Sequence, residues 1–135
     1  MNILVTGNDT RTQILTQYLL SAKHHVTLVS KSMQFCTMIA NQTDHVTVFG
    51  DASIPDTLAS AGADHCDLLI AMYENDADNF VICNLAKKKF GVRLTIASVE
   101  NPVNCTVLQR LGVDSVICSS ETFTHSIENA VAAIH

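Results

Sequence analysis

Residues 7–12 read Gly7-Asn8-Asp9-Thr10-Arg11-Thr12 and follow the short apolar run from Asn2 to Thr6. A glycine-rich turn between a first strand and a first helix can grip a pyrophosphate. The first glycine makes the tight turn, the second lets the backbone approach the phosphate, and the third lets the helix pack close. The helix N-terminus then offers free N–H donors to the anion. Of the three glycines only Gly7 is present; Asp9 stands at the second place and Thr12 at the third. Asp9 brings a side chain where room is needed and a negative charge against another. At ~4 Å and an effective dielectric of ~20, two like charges repel by about 4 kcal/mol. The oxygen of Asp9 or Thr10 can also cap the helix, using the donors a phosphate would take. Arg11 is the one cation of the turn, and Thr12 is expected to push the helix slightly from the sheet. These residues predict poor dinucleotide binding, with Asp9 as the main cause.

The remaining reactive residues suggest neither catalysis nor a metal site. Five cysteines (Cys36, Cys66, Cys83, Cys105, Cys118) lie far apart with no CxxC pair, whereas zinc sites take ligands in tight pairs. They read as reduced, mostly buried thiols of a cytoplasmic protein. His24-His25 and His65-Cys66 are merely adjacent, and neighbours on a strand point to opposite faces. Neither Tyr18 nor Tyr73 has a lysine four residues on, and no substrate domain is evident, so an enzyme is not expected. A net charge of −5 excludes nucleic acid as the main partner, since phosphate contacts need a basic face. No apolar run approaches the ~20 residues that span a bilayer. The start, Met1 to Val5, does not resemble a signal peptide.

The elements that must position the first turn follow from pattern. Apolar strands are expected at Asn2–Thr6, Val26–Val29, His45–Phe49, Asp67–Met72, Leu94–Val99 and Ser115–Cys118. Between them lie helices: Thr12–Ala22, with Leu15, Tyr18 and Leu19 on one face; one through Met33, Phe35, Met38 and Ile39; and a short one capped by Ser53 with Pro55 in its first turn. The next opens with Glu74, Asp76 and Asp78 and closes with Lys87-Lys88-Lys89 before Gly91. Those charges complement the helix dipole, in preference to forming a cation or phosphate site. A further helix runs from Asn101-Pro102 to Arg110, and Ser119 or Ser120 caps a last one whose stripe is Phe123, Ile127, Ala130, Val131 and Ile134. Six strand–helix units with short connections predict a single Rossmann-type domain over 1–135: a doubly wound, six-stranded parallel sheet covered by helices on both faces, with a crevice at the carboxyl ends of its strands.

Several landmarks stand in a distinctive order: Gly50-Asp51-Ala52-Ser53, Pro55-Asp56, Ala61-Gly62-Ala63, Asp67-Leu68-Leu69-Ile70-Ala71, Asp76-Ala77-Asp78-Asn79, Ala86-Lys87, Gly91-Val92, Asn101-Pro102 and Leu111-Gly112-Val113-Asp114. Across essentially the whole chain this resembles the TrkA-N domain, the N-terminal lobe of the RCK (regulator of potassium conductance) family. The resemblance implies a cytoplasmic regulatory subunit that binds NAD(H) or an adenine nucleotide (AMP, ADP or ATP). It would pass the ligand state to a membrane potassium transporter or channel subunit, without inserting in the membrane itself. It also implies a homodimer or higher oligomer through residues 120–134, and a chain that stops where the family's nucleotide-binding lobe stops.

The same resemblance places a site at Gly7, Asn8, Asp9, Thr10, Arg11, Ser30, Lys31, Asp51, Ala52, Ala71 and Met72. Several of its contacts are changed. The acid that holds a ribose hydroxyl at the end of the second strand is Ser30 here, followed by Lys31. An arginine of the fifth strand is Ser98, and a Pro-Glu pair after the sixth is Ser119-Ser120. Ser30 and Lys31 could accept a 2′-phosphate or form a plain surface pair. Asp51 lies near the adenine or helps cap the helix after Ser53. The expectation is a degenerate dinucleotide site on an intact frame; the alternative is a dimeric Rossmann scaffold that has lost NAD binding and binds AMP, ATP or no nucleotide, with a small oxidoreductase the least favoured reading.

Overall fold

Strand β1 (Asn2–Thr6) turns Ile3 and Val5 to one side and Leu4 to the other, all of them buried, as a central parallel strand requires. The structure, a computed structural model, describes residues 1–42 and 46–134. Beyond β1 come α1 (Thr10–Ser21), β2 (His25–Ser30), α2 (Met33–Gln42), β3 (Val46–Phe49), α3 (Pro55–Ser60) and a 3-10 turn (Ala63–His65). These are followed by β4 (Leu68–Ala71), α4 (Asp76–Phe90), β5 (Leu94–Val99), α5 (Pro102–Arg110), β6 (Ser115–Cys118) and α6 (Ser119–Ala132). The strands form one six-stranded sheet in the order β3-β2-β1-β4-β5-β6, parallel throughout. This is the doubly wound Rossmann arrangement expected, with its order reversing between β1 and β4.

Two cores flank the sheet. Leu4, Val29, Leu69, Ala97 and Val99 pack with Leu58 of α3, Ile82 and Ala86 of α4 and Leu108 of α5. On the opposite face Ile3, Val5, Leu28 and Ile70 pack with Leu19 of α1 and with Phe35 and Ile39 of α2. Helix α4 buries Asn79, Ile82, Cys83 and Ala86, the i, i+3, i+4, i+7 spacing of one helical face. Asn75 caps it at one end and Gly91, at φ 67°, at the other, a left-handed turn that favours glycine.

Several local expectations are corrected. Helix α1 starts at Thr10, two residues early, because the Asp9 carboxylate caps it by accepting from the Thr12 N–H. Its buried stripe is Thr12, Thr16 and Leu19, and Tyr18 is 65% exposed. In α2 it is Cys36 that joins Phe35 and Ile39 inside, while Met33 and Met38 are exposed. Ser53 is not the cap of α3: Ile54 holds that place, and Ser53 Oγ donates instead to Asp51. Neither Ser119 nor Ser120 caps α6; Cys118 is the N-cap residue, and Ser119 Oγ donates back to Val99 O. The thiols are not all free. The α5–β6 crossover returns the chain to one sheet edge and bonds Cys105 to Cys118, with Cα atoms 6.1 Å apart, while Cys36, Cys66 and Cys83 remain unpaired. The expected start of β3 at His45 lies outside the described residues.

Helix cover is also incomplete. Helices α4 and α5 lie on one face of β4–β6, and α6 leaves the sheet with no buried residue. On the other face an apolar groove of about 850 Å³ opens over Ile70, Met72, Ile96 and Ile117, between Leu15 of α1 and Phe123 of α6.

Candidate functional site

The carboxyl ends of β1, β2 and β4 bring the first turn, Ser30-Lys31 and Ala71-Met72 to one edge of the sheet, beside Gly50-Asp51-Ala52 at the end of β3. At the first turn Gly7 serves packing. A Cβ there would overlap Thr12 Oγ1, so Gly7 admits the threonine that replaces the third glycine. Thr12 is wholly buried and is accommodated by this contact.

Asp9 fills the N-terminus of α1 from within the chain. Its Oδ1 accepts from Thr12 N at 3.0 Å and from Thr12 Oγ1 at 2.9 Å. Its Oδ2 accepts from Arg11 Nε at 3.2 Å and Nη2 at 3.1 Å. Burial alone would raise the Asp9 pKa, but the bonds from Thr12 and Arg11 outweigh it and hold the group below the usual aspartate value. The carboxylate is therefore charged where a phosphate would have to come. Arg11 reaches on to Glu100 after β5, at 3.4 Å, so the cation of the turn is shared between two acids. Asn8 and Thr10 are exposed at the mouth.

The ribose side is equally altered. Ser30 is wholly buried, which corrects the surface-pair expectation, and its Oγ accepts from Ser32 N at 3.1 Å. Lys31 Nζ pairs with Asp78 at 3.4 Å and lies 4.5 Å from the centre of the Tyr73 ring, within cation–π range. Asp51 accepts from Ser53 N at 2.9 Å and Ser53 Oγ at 2.7 Å, and these bonds lower its pKa. Ala52 and Ala71 are core residues. Met72 donates from its N–H to Thr6 O at 2.8 Å and turns its side chain to the groove. At both places side chains of the chain itself engage backbone donors: Asp9 takes Thr12 N at α1, and Tyr73 Oη and Ser30 Oγ take Lys31 N and Ser32 N after β2. Among the described residues no group of three or more His, Cys, Asp or Glu could hold a metal, and no helix is long and apolar enough to cross a membrane.

Two residues of this edge went unread in the sequence. Tyr73 is 4% exposed and spans from the β4–α4 loop to the end of β2. Asn79, wholly buried, clamps it: Asn79 Oδ1 accepts from Tyr73 N at 2.9 Å, and Nδ2 donates to Tyr73 O and to Ser98 O, both at 2.8 Å. The signal was an asparagine on the same helical face as Ile82, Cys83 and Ala86. A polar residue on an apolar stripe must find partners.

The TrkA-N domain family model matches residues 3–119. The chain is 26% identical over 131 residues to a Trk system potassium uptake protein TrkA homolog of Methanothermobacter thermautotrophicus, covering 97% of this chain and 60% of the relative. The fold superimposes on the TrkA-N domain of inner membrane protein ybaL from Escherichia coli with a TM-score of 0.89 at 16% identity, over 96% of this chain and 95% of that one. It also matches a GsuK channel bound to NAD, with a TM-score of 0.76 at 25% identity, over 86% of this chain and 21% of the channel chain.

Proposed function

The chain belongs to the TrkA-N domain family, and on that premise we propose that it is a regulatory lobe of a potassium uptake or channel system, responsive to adenine nucleotides. The observation that carries this reading is the extent of the family match. Residues 3–119 run from β1 through β6, and so include every strand end that lines the crevice. In this reading the lobe works in the cytoplasm, catalyses nothing, and transmits its ligand state to a membrane potassium-transporting subunit. Its ligand is NAD(H) or AMP, ADP or ATP, and the dinucleotide is held weakly because Asp9 already takes Thr12 N and sets a like charge at the first turn. Residues 120–134 join copies into a dimer or larger ring.

A second reading has support of its own. With Asp9 on the donors of α1 and Ser30 buried, the same frame could act as a dimeric scaffold that has lost NAD binding. Deleting the gene in its own host and following rubidium uptake tests the assignment to potassium transport. Uptake should fall, or lose its dependence on external potassium. Unchanged uptake at low and high potassium would overturn it.

A further inference from the structure

Tyr73 does more than fill space. Its hydroxyl accepts from Lys31 N at 3.2 Å and donates to Val29 O at 3.4 Å, a long contact but directed at the end of β2. In the Rossmann crevice it is the end of this strand that recognises ribose hydroxyls. Ser30, which stands there in sequence, has its Oγ engaged by Ser32 N. A phenol carries its proton at neutral pH and can donate, and burial only raises this one further, to about 12. Between the two strands that Tyr73 bridges, β1 ends at Thr6, paired with Val29 on one side and Ala71 on the other. The Thr6 hydroxyl is buried and has no hydrogen-bond partner among the described residues. A buried hydroxyl without a partner is costly and points to a polar atom brought from outside the chain.

We infer that the Tyr73 phenol is an own-chain stand-in for a ribose hydroxyl, and that it decides which ligands the crevice accepts. A ribosyl ligand must displace it from the end of β2. Its own hydroxyls then bond Lys31 N and Val29 O in place of the phenol. The inference rests on the crevice being the nucleotide site proposed above. It makes Tyr73 the determinant of the ribose half, as Asp9 is of the phosphate half.

The test is calorimetric titration of the native chain and of Tyr73→Phe with ribose 5-phosphate, AMP and inorganic phosphate. Loss of the hydroxyl should tighten ribose 5-phosphate and AMP at least about fivefold, the worth of one of the two hydrogen bonds no longer displaced. Inorganic phosphate should bind both proteins alike, which a general loosening of the fold would not produce. Equal or weaker binding of the ribosyl ligands to Tyr73→Phe overturns the inference alone. Failure of both proteins to bind any of the ligands removes the nucleotide reading with it. A second measurement leaves Tyr73 intact. The chain has two tyrosines and no tryptophan, so Tyr18→Phe, at an exposed position, makes Tyr73 the sole emitter. Ribose 5-phosphate should then change the tyrosine emission saturably while inorganic phosphate does not, and an unchanged emission at saturation contradicts displacement.

Discussion

On the proposed reading, Asp9 is the residue that governs phosphate binding in this crevice. Its carboxylate takes Thr12 N and Oγ1 and pairs with Arg11, so an incoming phosphate would meet an occupied donor and a like charge. Glycine is the informative replacement, because at an N-cap it costs only a few tenths of a kcal/mol relative to the natural caps. Asp9→Gly should bind NADH and ATP at least about tenfold more tightly than the native chain by calorimetry, less than the full like-charge repulsion of an unrelaxed pair. Low-micromolar affinity of the native chain, unimproved by glycine, would show that the turn accommodates phosphate despite the acid. This much was legible from the missing glycines, since the capping preference of aspartate and the geometry of the turn are local. Ser30 was legible only as a change of residue type. Its burial depends on how β2 meets α2, which no short motif reports.

Acidic side chains tie the elements of the crevice edge together. Asp76, in the first turn of α4, accepts from Glu100 N, Asn101 N and Asn104 Nδ2 at 2.8, 3.0 and 2.9 Å, fixing α4 to the start of α5. Asp114 accepts from Thr95 N at 2.8 Å and pairs with Lys87 at 2.6 Å, fixing the α5–β6 connection to β5 and α4. Burial opposes ionisation at both, yet these partners hold both below the ordinary aspartate range, as Thr12 and Arg11 do at Asp9. Groups with a depressed folded pKa stabilise fully above their unfolded pKa and lose that contribution as pH falls through the folded one. The melting temperature should therefore be level with respect to these groups above about pH 5 and fall progressively below about pH 4. A melting temperature that rises on acidification through that range would contradict the assignment. The strands and α4 and α5 were legible because apolar runs, the acid-to-base charge order of α4, Asn101-Pro102 and Gly91 are all local signals. The starts of α3 and α6 were not, because Ile54 and Cys118 hold the N-cap places without a side-chain cap bond while Ser53 and Ser119 sit beside Asp51 and Val99 O, to which their hydroxyls donate. The Cys105–Cys118 pair was hidden for a similar reason: only the crossover brings the two residues together.

For the whole molecule, the unfinished surface is α6 and the groove beside it. Phe123, Ile127, Val131 and Ile134 are 69%, 51%, 59% and 83% exposed, and the groove presents Ile70, Met72, Ile96 and Ile117. Contiguous apolar surface of this kind marks an interaction site, and on the proposed reading it is shared between copies of the chain. Light scattering at tens of micromolar should show a dimer or larger species that Ile127→Asp dissociates. A native monomer, or an unchanged oligomer in the variant, would contradict that. On the proposed reading the crevice is a working adenine-nucleotide sensor whose dinucleotide grip is reduced by its own side chains. Thermal unfolding of the native chain in millimolar AMP, ADP, ATP, NAD+ and NADH tests it most directly. At about ten times its Kd a ligand adds about 1.4 kcal/mol, worth roughly 4 °C in a domain of this size. A saturable rise of that order is expected with at least one adenine mononucleotide, and a smaller rise with NADH at equal concentration; unfolding curves that coincide for every nucleotide would overturn the sensor reading.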